Sequence, residues 1–183
     1  ILTKDPNSWE AQFYVVYYRA AGCKIIEISN SAHAVLNNIR PVLNLIKENI
    51  TNEDEIHEIL LEITLKIFGL TEMFKGASYN TYISVDSEFR GDYSQEYIDR
   101  ILPTSDIAYI LGNDISELFG DKYSDLFVPC WKQGIDIHKT VVYLLADKRM
   151  YSMKKKHHNE SLGRLYSDLM KSQVSKEVSP SNA

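Results

Sequence analysis

The sequence predicts an all-α, single-domain helical bundle of about six or seven helices. Three observations favour this class. Apolar residues recur at helical spacing along most of the chain, and 183 residues suit one hydrophobic core. The composition, 44% apolar and 25% charged, is ordinary for a globular protein. We assign residues 1–174 to this domain and residues 175–183 to a disordered C-terminal tail.

The first helix is predicted over residues 8–21. Asn7 and Glu10 have the spacing of a capping box at its start, and Gly22 is a typical helix end. Its apolar face consists of Phe13, Val16, Tyr17 and Ala20. This face is expected to pack against the rest of the bundle.

The next two helices are predicted to form a long antiparallel hairpin over residues 24–76. The second helix covers residues 24–49, and Pro41 predicts a kink or break in it. The third begins at the capping residue Asn52 and is closed by Gly76. Because only residues 50–51 connect the two helices, they should run antiparallel.

Residues 77–93 interrupt the helical pattern with several loop-forming residues. Thr81, Ile83 and Val85 alternate with other residues, which indicates a short strand or an extended segment. A long irregular segment in a small domain is often functional. We therefore expect the working surface of the protein to include this segment.

The irregular segment ends in the tripeptide Arg90-Gly91-Asp92, which integrin-type receptors read in extracellular proteins. The same residues also have a structural interpretation. Asp92 and Gln95 have capping-box spacing, which predicts a helix that starts at about residue 94. A capping carboxylate is partly occupied by backbone N–H groups and is less available to a receptor's metal ion.

Four further helices complete the prediction. One covers about 94–102 and is stopped by Pro103, and the next covers about 105–119 and is ended by Gly120. A long helix follows over roughly 122–152, with irregular points at Pro129 and Gly134. The last helix, about 160–174, has an apolar stripe of Leu162, Leu165, Tyr166 and Leu169.

Cysteine usage and glycosylation motifs favour a secreted protein. Cys23 and Cys130 are the two cysteines of the chain, and a disulfide between them would stabilise the fold by up to about 4–5 kcal/mol. The alternative is two buried free cysteines in a cytosolic protein. The sequons at Asn49 and Asn159 both fall in predicted loops, where glycosylation requires them.

The charge is distributed unevenly along the chain. Residues 1–138 hold 11 Lys and Arg against 21 Asp and Glu, whereas residues 139–183 hold 9 against 4. The net charge of −5 argues against a general nucleic-acid binder. The C-terminal basic cluster is a candidate site for anionic glycans or lipid headgroups, or it complements a helix dipole. It consists of Lys148, Arg149, Lys154, Lys155 and Lys156.

Catalytic, metal-binding and membrane-spanning motifs are missing from the sequence. His57 and Glu58 begin a fragment that resembles a zinc-protease motif, but Leu61 stands where the second ligand is needed. Glu62 and Lys66 instead predict an ion pair on a solvated helix face. No apolar run reaches the roughly 20 residues of a membrane-spanning helix. We expect no enzyme activity, cofactor, metal or transmembrane segment.

These observations leave three classes of function open. The first is a secreted interaction protein, such as a surface antigen, host modulator or secretory-fluid factor. The second is a helical carrier of a lipid or other hydrophobic small molecule in an internal cavity. The third is an intracellular regulator that binds a partner helix. We favour the first class, with a protein-binding surface around the irregular segment that comprises Tyr79, Tyr82, Phe89, Arg90, Asp92 and Tyr93.

Overall fold

The computed structural model describes residues 7–86 and 90–146, together with Ser167. Within these ranges the regular structure is all helical, which confirms the predicted class. Five α-helices are present there, whereas six or seven were expected for the whole chain. They are α1 (Trp9–Ala21), α2 (Ile28–Asn49), α3 (Glu53–Ser84), α4 (Arg90–Phe119) and α5 (Ser124–Ala146), with short 3₁₀ helices at Ile25–Glu27 and Asp121–Tyr123. No helix of the described residues is long and apolar enough to cross a bilayer.

Helix α4 is the central element, because it packs against α2, α3 and α5. Helix α1 packs mainly against α2. Residues 50–52 join α2 to α3 as a short connection, as predicted. The two helices nevertheless touch along little of their length, since both pack on α4 instead. The predicted short connection is therefore confirmed, and the two helices contribute to the same core mainly through α4.

Helix starts are set by local capping. Ser8 caps α1, because its hydroxyl accepts a hydrogen bond from the backbone N–H of Ala11 at 3.1 Å, so the predicted cap at Asn7 is one residue early. The predicted cap at Asn52 is confirmed. Its side-chain oxygen accepts hydrogen bonds from the backbone N–H groups of Asp54 and Glu55 at 3.0 and 3.1 Å.

Two helices continue past the residues that were expected to end them. Helix α3 passes through Gly76 to Ser84, so the predicted irregular or strand-forming segment is mostly helical. Helix α4 likewise contains Pro103, and Asp92 lies inside its first described turn rather than capping a later start. Ser78 and Tyr82 extend the buried stripe of α3 beyond Gly76, and packing of this kind outweighs weak local signals.

Proline is also tolerated inside the other long helices. Helix α2 is unbroken across Pro41, and α5 is unbroken across Pro129. An internal proline costs about 3 kcal/mol, so buried apolar residues on both sides must offset that cost. Around Pro103 these include Ile101 and Ile107, which are fully buried.

The interior contains two clusters of buried side chains. The larger cluster joins α1, α2, α3, the second half of α4 and the first half of α5, and includes Leu43, Ile46, Leu60, Ile67, Phe74 and Leu111. The smaller cluster joins the end of α3, the start of α4 and the end of α5. It consists of Tyr82, Tyr97, Ile98, Ile101, Ile137 and Val141.

Two glycines allow α4 and α5 to approach closely. A Cβ atom on Gly134 would lie 3.0 Å from the carbonyl oxygen of Ser105 and 3.1 Å from the backbone nitrogen of Tyr109. A Cβ atom on Gly112 would lie 2.7 Å from the ring of Trp131. Gly134 is therefore a contact point between the two helices and not the irregular point that the sequence suggested.

The C-terminal predictions fall outside the described residues, with one exception. Ser167 lies within the predicted helix 160–174, and it is helical and partly buried. The end of the predicted helix 122–152 beyond Ala146 and the proposed tail over residues 175–183 are not described.

Candidate functional site

Exposed apolar side chains occur near the end of α3 and at the start of α4, a region we call the α3–α4 corner and define by Tyr79, Ile83 and Tyr93. Their exposed fractions are 44%, 41% and 45%. Helix α3 ends nearby, where the hydroxyl of Ser84 donates to the carbonyl of Thr81 at 2.7 Å. Large side chains with such exposure are typical of surfaces that contact another molecule when they occur together.

A buried aromatic pair lies beneath this corner. The rings of Tyr82 and Tyr97 have centroids 5.1 Å apart, and both residues are almost fully buried. Burial raises the pKa of the Tyr97 phenol, whose hydroxyl lies near Thr140 of α5. The pair joins the end of α3 to the start of α4, the same two helix ends that carry Tyr79, Ile83 and Tyr93.

The structure separates the predicted partner-binding residues into three groups. Tyr79 and Tyr93 are exposed. The assignment of Tyr82 to the binding surface is wrong, since its ring packs on Tyr97 inside the second core cluster. The backbone of Arg90 and Asp92 is helical, but their side chains lie outside the described part of the chain, as does the whole of Phe89.

Cys23 and Cys130 are not bonded to each other in the structure, where Cys23 is partly buried and Cys130 is buried. Cys130 is fully buried beside Thr64, and burial raises the pKa of its thiol to about 12. Elsewhere, Arg40 of α2 forms ion pairs with Asp114 and Glu117 of α4 at 2.9 and 2.8 Å.

The predicted modification and anion sites are only partly described. Asn49 is exposed at the end of α2, where its amide donates to the carbonyl of Leu45 at 2.8 Å. The second sequon at Asn159 lies outside the described residues. The same holds for the basic cluster of Lys148, Arg149, Lys154, Lys155 and Lys156.

Sequence reasoning missed a second exposed apolar surface. Leu61, Leu65 and Met73 lie on the side of α3 that faces away from α4, and Leu65 is 60% exposed. The signal was present, because these apolar residues fall outside the buried stripe of α3. The predicted ion pair on this helix is confirmed, with Lys66 Nζ 4.0 Å from Glu62 Oε1.

The main core contains one crevice of interest for the carrier hypothesis. It lies between α1, α2, α3 and α4, is lined by apolar residues that include Phe13, Val35 and Ile67, and has a volume of about 10 Å³. Such a volume holds about one water molecule. Within the described ranges, no group of three or more His, Cys, Asp or Glu side chains is placed to hold a metal ion.

Comparison of the chain with protein-family models, with curated proteins and with solved structures finds no match.

Proposed function

We propose that this chain is a secreted, non-enzymatic interaction protein that binds a protein partner through the α3–α4 corner. The observation that supports this proposal is the exposure of Tyr79, Ile83 and Tyr93 above the buried Tyr82–Tyr97 pair. Tyrosine is enriched at interfaces and among the residues that dominate binding energy. Residues held by a packed base lose less conformational entropy on binding.

Secretion is supported by the sequon at Asn49. The asparagine is exposed, and Thr51 follows in the connection between α2 and α3, so the motif is accessible to a glycosyltransferase. Expression through a eukaryotic secretory pathway should add a glycan at Asn49, which Asn49→Gln removes. An unmodified Asn49 in that system would count against secretion.

A second candidate, an intracellular helical regulator, is favoured by the free thiols. Cys130 is a buried small apolar residue in the structure, as is common for cysteines in reducing compartments. The same α3–α4 corner serves as the partner site in this alternative. Mass spectrometry of protein from its natural source separates the two: a glycan on Asn49 supports secretion, and its absence together with free thiols supports the regulator.

The lipid-carrier alternative requires the core to open. A crevice of about 10 Å³ is far smaller than the 300–1,000 Å³ or so of ordinary ligand pockets. Native mass spectrometry of the purified chain tests this alternative. A bound lipid that copurifies in stoichiometric amount would support the lipid-carrier alternative.

Site-specific photo-cross-linking tests the proposed partner site. A benzoylphenylalanine residue replaces Tyr79 or Tyr93, and Tyr18 serves as a matched control because it is an exposed tyrosine on α1. We expect discrete cross-linked products from both corner positions when the protein meets the cells or fluid that surround it naturally. Equal products from all three positions, or none from the corner, would contradict the proposal.

A further inference from the structure

The smaller core cluster is the less extensive of the two in the described part of the chain. It joins the end of α3, the start of α4 and the end of α5 through Tyr82, Tyr97, Ile98, Ile101, Ile137 and Val141. One turn before Tyr82, the hydroxyl of Ser78 is buried without a hydrogen-bond partner, which destabilises the closed structure there. Local stability follows the buried apolar surface, so this end of the bundle should open before the main cluster does.

His138 of α5 lies at the edge of this smaller cluster. It directly follows Ile137, and its Nδ1 is 3.4 Å from the hydroxyl oxygen of Ser105 on α4. Its other ring nitrogen, Nε2, is buried and has no hydrogen-bond partner. Ser105 comes one turn after Ile101, and both Ile101 and Ile137 are fully buried. The imidazole is therefore part of the contact between α4 and α5.

The surroundings of His138 suit a neutral imidazole better than a charged one. A protonated ring has two N–H donors, and Nε2 has no acceptor to donate to. Burial lowers the pKa of the imidazole, because a buried charge without a partner is far more costly than a buried neutral group. Protonation of His138 thus favours any state in which the ring reaches water.

The charged groups around His138 are engaged with one another. Those nearest to it are Asp136 and Lys139 on α5, Asp106 on α4, and Glu72 and Lys75 on the stretch of α3 that follows the contact between Phe68 and Gln133. Asp136 pairs with Lys139 at 3.5 Å, and Glu72 pairs with Lys75 at 2.6 Å. Asp106 interacts with His33 of α2. Among the described residues, none of these carboxylates therefore offsets the burial of His138.

We propose that the smaller cluster opens as a unit when His138 takes up a proton, which releases the α3–α4 corner in mildly acidic surroundings. The charged ring reaches water only if the end of α5 separates from α4. Tyr97, whose hydroxyl lies near Thr140 of α5, then loses its cover on that side, and its contact with Tyr82 is weakened. The opening does not depend on the proposed function, whereas a loss of partner binding in acid rests on it.

The direction and size of the effect follow from proton linkage. In the open state His138 binds a proton near pH 6.5, as an ordinary histidine does, and in the closed state only at a lower pH. The ratio of open to closed molecules is therefore constant well above pH 6.5 and rises as the pH falls, by at most about tenfold per pH unit. Between pH 7 and pH 5 the rise is at most about 25-fold.

Native-state hydrogen exchange on the full chain tests the proposal. Protection factors are measured at pH 7 and pH 5 for amides of the smaller cluster, over residues 97–101 and 137–141, and of the main cluster, over residues 42–46 and 60–67. We expect lower protection in the smaller cluster at both pH values, with little dependence on low concentrations of urea, because a local opening exposes little surface. Its protection should fall by up to about 25-fold between pH 7 and pH 5.

Two histidine variants identify the group responsible. His138→Gln retains a polar side chain that takes up no proton, so protection in its smaller cluster should be nearly equal at the two pH values. The matched control is His33→Gln, which removes an exposed histidine of α2 and should behave like the wild type. NMR titration of the His138 imidazole in the wild type should have its midpoint below pH 6.5, a check that needs no variant.

The outcomes separate this proposal from the proposed function. Equal protection of the two clusters at every pH and urea concentration would overturn it, as would a pH dependence that persists in His138→Gln or a titration midpoint at pH 6.5 or above. The partner captured by cross-linking should bind more weakly at pH 5 than at pH 7 to the wild type, but not to His138→Gln. An affinity that is independent of pH while the cluster opens would contradict the α3–α4 corner as the binding site and leave the opening intact.

Discussion

Close packing of α4 on α5 predicts that Gly134→Ala destabilises the protein. The added Cβ atom would lie 3.0 Å from the Ser105 carbonyl oxygen and 3.1 Å from the Tyr109 backbone nitrogen. Both atoms belong to the backbone of α4, so they can yield only if the helix itself shifts. Overpacking of this kind typically costs about 1–3 kcal/mol. Alanine also stabilises a helix by up to about 1 kcal/mol relative to glycine. This gain in helix propensity partly offsets the cost of overpacking.

A second glycine provides a control variant that contains the same gain in helix propensity without the close contact. Gly76 lies inside α3, and a Cβ atom there would meet nothing within 4 Å. Gly76→Ala should therefore stabilise the chain by about 0.5–1 kcal/mol. Urea unfolding, followed by circular dichroism, should show Gly134→Ala less stable than Gly76→Ala by about 1–3 kcal/mol. Equal stability of the two variants, or a more stable Gly134→Ala, would refute the packing argument.

Three further predictions follow from burial and backbone geometry. Burial lowers the pKa of His138 below its usual range. The imidazole therefore binds a proton near pH 6.5 in the unfolded chain, but only at a lower pH in the folded chain. The free energy of unfolding should consequently fall as the pH drops below about 6.5, by at most about 1.4 kcal/mol per pH unit. The His138→Gln variant should show a smaller fall. Identical pH profiles for the variant and the wild type would contradict this prediction. A thiol reagent should leave Cys130 unmodified in the native chain and modify it after denaturation, because the thiol is buried; rapid native labelling at Cys130 would be inconsistent with the structure. Integrin-bearing cells should adhere no better to the wild type than to Asp92→Glu, because the backbone of Arg90-Gly91-Asp92 is helical and does not form a loop tip. Adhesion to the wild type that Asp92→Glu abolishes would contradict this prediction.

Local signals in the sequence located several helix boundaries correctly. Asn52 starts α3 because its side chain satisfies two backbone N–H groups that have no other partner. Gly120 follows the end of α4 with a φ of 84°, a conformation that favours glycine. Gly76 and Pro103 misled the prediction, because the apolar face of each helix continues beyond them and its burial depends on distant elements.

The candidate site was predictable only in outline. Tyr79 and Tyr93 were expected at the surface, and they are exposed. Tyr82 was misassigned because its burial against Tyr97 depends on α3 extending past Gly76 to meet α4. The exposed apolar side chains of Leu61, Leu65 and Met73 on α3 were not predicted, because they lie outside the regular apolar stripe of that helix and their exposure depends on which neighbours pack there.

The binding affinity of the partner captured by cross-linking tests the central claim most directly. Tyr79→Ala combined with Tyr93→Ala removes the two exposed rings of the α3–α4 corner, and Tyr18→Ala removes an exposed ring elsewhere. If the corner is the binding site, the double variant should bind at least about tenfold more weakly, which corresponds to about 1.4 kcal/mol, and Tyr18→Ala should bind like the wild type. Equal affinity of the double variant and the wild type would contradict the account.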